Sequence, residues 1–198
     1  MRNLAGQIET GVKAIARLGY IVGGWCLILL SLMICVEVVL RKVFNQSLQG
    51  VDEYGGYALA ISSAIGFAYA FYEGSHIRID VLVRRLPRGL RIASSLVAHL
   101  SLFFVATFFA KYAVLLTLES LDMESFANTP LRTPLYIPQG IWAFGMCLFA
   151  LAVGVRLLLI LQGLLQKQWP LLISLLDPRS EDETELKRVM QDIEGPRK

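Results

Sequence analysis

Residues 67–91 read FAYAFYEGSHIRIDVLVRRLPRGLR. An apolar run stops at Glu73 and Gly74, a short polar link runs from Ser75 to Asp80, and a basic stretch follows with Arg84, Arg85, Arg88 and Arg91. On a soluble surface these charges are ordinary. Between two long apolar runs they mark an anchor at a membrane face, because lysine and arginine close to apolar segments favour the cytoplasmic side. Within the link Ile77, Ile79, Val81 and Val83 alternate with Arg78, Asp80, Leu82 and Arg84, which is the period of a strand. A lone strand between membrane helices leaves its backbone groups unpaired, so a short interfacial helix or an extended link is expected. Pro87 and Gly89 mark the turn into the next segment.

The rest of the chain supports the membrane reading. Of its 198 residues 55% are hydrophobic and 18% are charged, where a soluble domain carries about a quarter charged. The deficit sits in four apolar blocks, the pattern of a polytopic membrane protein. The net charge of +3 is small, and the basic residues gather at block ends. This excludes the continuous basic face that a nucleic-acid surface requires. Cys26, Cys35 and Cys147 lie inside the blocks without a C-x-x-C pair, so they read as small apolar packing residues. The first block exceeds the apolar core of about 7–15 residues in a cleavable signal peptide, and is expected to stay in the protein.

The expected fold is all-α: a polytopic membrane protein with four transmembrane helices, an amphipathic N-terminal interfacial helix and a short C-terminal helical tail. In residues 1–17, Leu4, Ile8, Val12 and Ile15 recur at helical spacing among Arg2, Lys13 and Arg17, as in a helix lying in the interface plane. A four-helix domain over 18–162 has spans at about 18–40, 54–73, 90–118 and 137–161, each long enough at about 1.5 Å per residue to cross about 30 Å of hydrocarbon. The second block is dense in Gly, Ala and Ser, which permit close helix approach in lipid. His99 lies about 12 Å into the layer and reads as a neutral side chain bonded to a neighbouring helix. Lys111 and Arg156 come near an interface, where their stems can snorkel. Pro130, Pro134 and Pro138 forbid a continuous helix in the loop 119–138. In the tail 163–198, Ser180 with Glu183 resembles a capping box.

Orientation follows from charge. The N-terminal segment carries Arg2, Lys13 and Arg17 against Glu9, and the link 74–91 carries five arginines against Asp80. On the opposite side Arg41 and Lys42 are balanced by Asp52 and Glu53, and the long loop is acidic. Both termini are therefore expected inside and the proline loop outside.

No catalytic, cofactor or metal constellation emerges: there is no metal-ligand spacing, P-loop, dinucleotide fingerprint or cysteine pair. A haem needs axial ligands on facing helices, and His76 and His99 lie at different depths. A thiol oxidase needs exposed cysteine pairs, and Cys26 and Cys35 sit within one block. A stand-alone carrier shows broken helices or an internal repeat around a polar midplane site. These blocks are mostly smooth, with charges near their ends. The residues describe a small non-catalytic membrane subunit.

Several stretches resemble one family. Glu37-Val38-Val39-Leu40-Arg41-Lys42-Val43-Phe44-Asn45, followed by Asp52-Glu53, is similar to the first outer link of the small membrane subunit (DctQ-like small permease) of tripartite ATP-independent periplasmic (TRAP) transporters. Gly74-Ser75-His76-Ile77-Arg78-Ile79-Asp80, then Leu86-Pro87, resembles that family's most recognisable segment, and Thr133-Pro134-Leu135-Tyr136-Ile137-Pro138-Gln139 resembles its approach to the fourth helix. The resemblance covers about residues 18 to 162 and leaves out 1–17 and the tail.

What the resemblance implies is a role in bacterial inner-membrane transport, not a reaction. In such systems a periplasmic substrate-binding protein captures an organic anion and a large elevator-type permease moves it inward on a sodium gradient. The small subunit, here expected at one-to-one stoichiometry, holds the immobile scaffold and helps dock the binding protein. On this reading Gly74, His76, Arg78 and Asp80 shape the cytoplasmic link. Arg84, Arg85, Arg88 and Arg91 meet anionic phospholipid headgroups, each contact worth about 1 kcal/mol. Glu37, Arg41, Asp52, Glu53 and Arg132 have two readings: solvated outer-face charges, or contacts to the large permease or the binding protein. Two other classes stay open. A visible absorption spectrum distinguishes an accessory subunit of a redox complex, and uptake by vesicles holding this chain alone distinguishes a stand-alone small transporter.

Overall fold

The computed structural model describes residues 2–73 and 87–166. The expectations for Gly74, His76, Arg78, Asp80, Arg84 and Arg85, and for the tail beyond 166, lie outside the described residues. The described chain is all-helical, with one isolated bridge between Phe126 and Pro134 and no sheet. Its elements are α1 (Arg2–Phe44), α2 (Val51–Tyr72), α3 (Arg88–Asp122) and α4 (Tyr136–Leu165). Arg88 and Arg91 fall in the first turn of α3.

Helix α1 corrects the expected N-terminal boundary. The segment 1–17 forms no separate interfacial helix, because residues 2–44 make one helix of 43 residues. Its length is about 64 Å, roughly twice the hydrocarbon thickness. No proline or turn sequence separates Arg17 from Leu18. Val12 and Ala16 instead continue the bundle-facing stripe and are buried in a cluster with Ala68, Tyr72 and Ala152. The hydroxyls of Thr10 and Ser31 bond to the carbonyls of Gly6 and Leu27, one turn earlier, at 2.9 and 3.0 Å. These polar groups are thus satisfied within the helix. The helix ends where Asn45 turns left-handed (φ 51°), and the Gln46 amide reaches back 3.4 Å to the Leu40 carbonyl.

Three helices contain stretches long and apolar enough to cross a membrane: Gly6–Phe44, Ile92–Asp122 and Tyr136–Leu165. The expected four helices are present, and α2 falls outside the three that meet this measure of length and hydropathy. Gly, Ala, Ser and Tyr dilute its hydropathy. The same small residues let it pack closely against both α1 and α4.

Helix α4 is the central element, touching each of the other three, while α3 rests mainly on α4. Of the apolar window in α4, 56% is buried, against 11% in α1 and α3. Small residues set the spacing. A Cβ added at Gly145 would stand 2.9 Å from the Ala64 Cβ and 3.0 Å from the Ile65 amide nitrogen, so α2 and α4 nearly touch backbones there. Ala64, Ala110, Ala113, Ala143 and Met146 form the core around that crossing.

Two expectations for single side chains also change, those for Arg156 and for the cysteines. Arg156 does not snorkel, since its side chain is 13% exposed and its Nη1 donates to the Glu9 Oε1 at 2.8 Å. Glu9 sits one turn before Lys13 on α1 and supplies the guanidinium with a charged acceptor inside the bundle. His99 is buried as expected, with Nδ1 2.8 Å from the Ser95 carbonyl of its own helix and its ring edge-on to Phe71 of α2. The three cysteines face outward from the bundle rather than packing inside it.

Candidate functional site

The end of the bundle that carries the α1–α2 and α3–α4 loops holds two buried carboxylates, and each gathers its own loop. The first is Glu37, in the penultimate turn of α1, where it is 3% exposed. Its Oε1 accepts from Arg41 Nε at 3.1 Å, Arg41 Nη2 at 2.6 Å and Ser47 Oγ at 2.7 Å. Its Oε2 accepts from the Leu48 amide at 2.5 Å. The Glu37–Arg41 spacing of four residues puts the two side chains on one helix face. The Ser47 and Leu48 donors come from the loop, which is thereby folded back over the end of α1. Charge-assisted bonds of this kind are the strong ones.

The second is Glu53, in the first turn of α2 and ahead of the apolar run 54–72. Tyr57 Oη donates to its Oε1 at 2.9 Å, and Thr129 Oγ1 donates to its Oε2. Thr133 adds its side chain and its backbone. The Thr129 bond, then the Thr133 bond, hold the carboxyl below its ordinary value, against an opposing push from burial. The position suits the helix dipole as well, since the start of α2 favours negative charge.

The loop that Glu53 holds is a small hairpin. The Ala127 amide donates to the Thr133 carbonyl at 2.9 Å and the Leu135 amide to the Ser125 carbonyl at 3.0 Å. At its tip the Arg132 amide donates to the Thr129 carbonyl at 3.1 Å, closing a turn with Pro130 in its second position, where the fixed proline φ fits. Beneath the tip lies Gly50 with φ 91°, where a Cβ would meet the Leu131 Cδ1 at 2.1 Å. Glycine alone provides both the left-handed backbone and the space. The hairpin thus docks on the α1–α2 loop, and both loops form one platform.

The platform separates the residues singled out from sequence into two groups. Glu37 and Glu53 are buried and bonded to this chain's own donors. Arg41, Asp52 and Arg132 remain exposed, with Arg132 held at a left-handed φ of 49°. Met123, Phe126 and Leu131, on the same stretch of chain as the hairpin, are also exposed. Sequence reasoning missed Ser47, Tyr57, Thr129 and Thr133. Only Tyr57, four residues after Glu53, carried a local signal. Among the described residues no group of three His, Cys, Asp or Glu side chains could hold a metal ion.

Comparison with known proteins agrees with this architecture. The family described as tripartite ATP-independent periplasmic transporters, DctQ component, matches residues 30–163. That range begins in α1, ends in the last turn of α4 and contains the whole platform. A stretch of 61 residues is 34% identical to a Haemophilus influenzae (strain ATCC 51907 / DSM 11121 / KW20 / Rd) protein named as a TRAP transporter small permease protein, covering 31% of this chain and 38% of that relative. The match therefore spans well under half of the relative's length. No solved structure matches the chain. The family match takes in more than half of the sequence, and this helical membrane protein belongs to the DctQ component family of tripartite ATP-independent periplasmic transporters.

Proposed function

We propose that the protein is the non-catalytic small permease subunit of a sodium-driven TRAP transporter for organic anions, scaffolding a large elevator-type permease in the bacterial inner membrane. The family match carries this reading. All four helices cross the bilayer, with α2 shielded from lipid by α1, α4 and the partner. Both termini are cytoplasmic, so the Glu37 and Glu53 platform faces the periplasm. The open groove between α1 and α2, about 460 Å³, has a floor of Gly23, Gly24, Ser62, Ser63 and Gly66 and bulkier Tyr20, Trp25 and Ile28 in its lining, and the small residues leave room for a helix of the large permease. On the cytoplasmic side Arg84, Arg85, Arg88 and Arg91 meet anionic phospholipids.

The periplasmic binding protein docks transiently on the platform through Arg132 and Asp52, with the exposed Met123 and Phe126 on the same loop stretch, while Glu37, Arg41 and Glu53 hold that surface in shape. Charges at such a rim act on the encounter rate more than on affinity. Co-purification from native membranes tests the scaffold. The expected result is a large polytopic permease at one-to-one stoichiometry. Recovery of the chain alone, together with substrate uptake by vesicles containing it alone, overturns the reading. Arg132→Glu tests the docking surface: it slows uptake and leaves the one-to-one complex intact.

A further inference from the structure

At the end of the bundle opposite the platform, Glu9 of α1 and Arg156 of α4 meet across 147 residues of chain. We propose that this pair is an ionic latch, holding the first turns of α1 against the bundle instead of on the membrane surface.

The apolar contact made by these turns is narrow. From Gly6 to Leu18, Val12 and Ala16 are the buried residues, and both are small. The larger Ile8 and Ile15 are 42% and 51% exposed. A segment with exposed Ile8, Ile15 and Leu18 beside Lys13 and Arg17 is also fitted to lie flat in a lipid interface, where those isoleucines would be covered. Docked and surface-bound forms of the same turns therefore compete, and hydrophobic burial does not separate them.

Charge does separate them. Arg156 cannot shed its proton, and its neighbours Val155 and Leu157 are buried in the bundle. Glu9 supplies the counter-charge at 2.8 Å, and the Tyr72 ring stands 6.0 Å from the guanidinium carbon, within reach of a cation–π contact. If α1 leaves, Arg156 is stranded without its partner, a strongly unfavourable state for a charge this enclosed. Lys13 and Glu73, 3.5 Å apart and both exposed, add a second contact between α1 and α2, which is weaker because solvent screens it.

The test is a distance measurement on the full chain in lipid membranes, with Cys26, Cys35 and Cys147 replaced by serine. Spin labels at Thr10→Cys and Leu161→Cys report the latch, and labels at Asp52→Cys and Asp122→Cys report the opposite end. The unlatched variants Glu9→Gln and Arg156→Gln are expected to show a second, longer-distance population at the first pair only, outweighing the docked one. The charge-swapped Glu9→Arg/Arg156→Glu chain is expected to return to the single short distance. An unchanged short distance in both neutral variants overturns the latch, as does a swapped chain that stays open. A shift at both label pairs overturns it too, since the ion pair would then hold the whole bundle. If the neutral variants do not accumulate, the swapped chain decides: a short distance upholds the latch, and an open or absent product defeats it.

Discussion

The Glu53 carboxylate in the first turn of α2 accepts the hydroxyl of Thr129, a residue 76 positions later that sits at the tip of the α3–α4 hairpin. One side chain thereby joins the two loops that share this end of the bundle. The bonds from Thr129 and Thr133 favour the ionised form and hold the carboxyl below its ordinary 4.5. A depressed folded value means that the stabilisation is complete above the unfolded value and is lost as pH falls through the folded one. The melting-temperature difference between the wild type and Glu53→Gln in detergent should be largest near neutral pH and close progressively in acid. A gap that stays constant down to strongly acidic pH would show that the clamp does not depend on the charge.

Glu37 gathers donors from Arg41, Ser47 and the Leu48 backbone. Glu37→Ala removes the acceptor and leaves the Leu48 amide and the Ser47 hydroxyl to find water. Arg41→Ala removes two donors on a single side chain that is 64% exposed and leaves both loop bonds in place. Glu37→Ala should therefore lower the melting temperature by several degrees and speed proteolysis of the loop 45–50, while Arg41→Ala does much less. Equal effects of the two substitutions would point to the ion pair alone, rather than the loop bonds, as the stabilising feature.

At Gly145 the α2 and α4 backbones come within reach of one another. Gly145→Val forces the helices apart at the centre of the bundle, and overpacking of this kind costs about 1–3 kcal/mol. Gly24 lies on α1 with open space around its would-be Cβ, so Gly24→Ala should raise stability by about 0.4–1 kcal/mol. Thermal unfolding of the two variants side by side measures the contrast. Comparable stability would mean that the helices do not cross at Gly145.

Gly50 combines a left-handed backbone with close contact to Leu131. Gly50→Ala should destabilise the platform by about 1–3 kcal/mol through backbone strain, with the Leu131 overlap adding to it. In Gly50→Ala/Leu131→Ala the overlap is gone and the strain remains, so this variant should recover part of the loss. Full recovery in the double variant would assign the entire cost to the side chain.

Much of the architecture was legible in residues read along the chain. The four apolar blocks became four helices, and no helix runs through Pro130 and Pro134 in the long loop, whereas Pro138 sits inside the first turn of α4, where a proline is tolerated. Tyr57 could be linked to Glu53 by helical spacing. Thr129 could not, because no periodicity relates a loop hydroxyl to a carboxylate 76 residues away. Glu37 and Glu53 looked like surface charges for a similar reason. Whether a carboxylate at a helix end meets water or a returning loop depends on where the loop closes.

The sequence by itself determined a helical membrane protein and the loops that break its helices. Those properties follow from hydropathy, proline stereochemistry and backbone hydrogen bonding in lipid, all of which act locally. Its resemblance to the TRAP small permease, read from the same residues, is matched by the family comparison. Tertiary structure alone decided that α4 is central, because buried and lipid-facing positions are equally apolar and hydropathy cannot tell them apart. It also decided the partners of Glu9, Glu37 and Glu53. The pairing of Glu9 with Arg156 joins residues 147 positions apart, and no local pattern along the chain relates them.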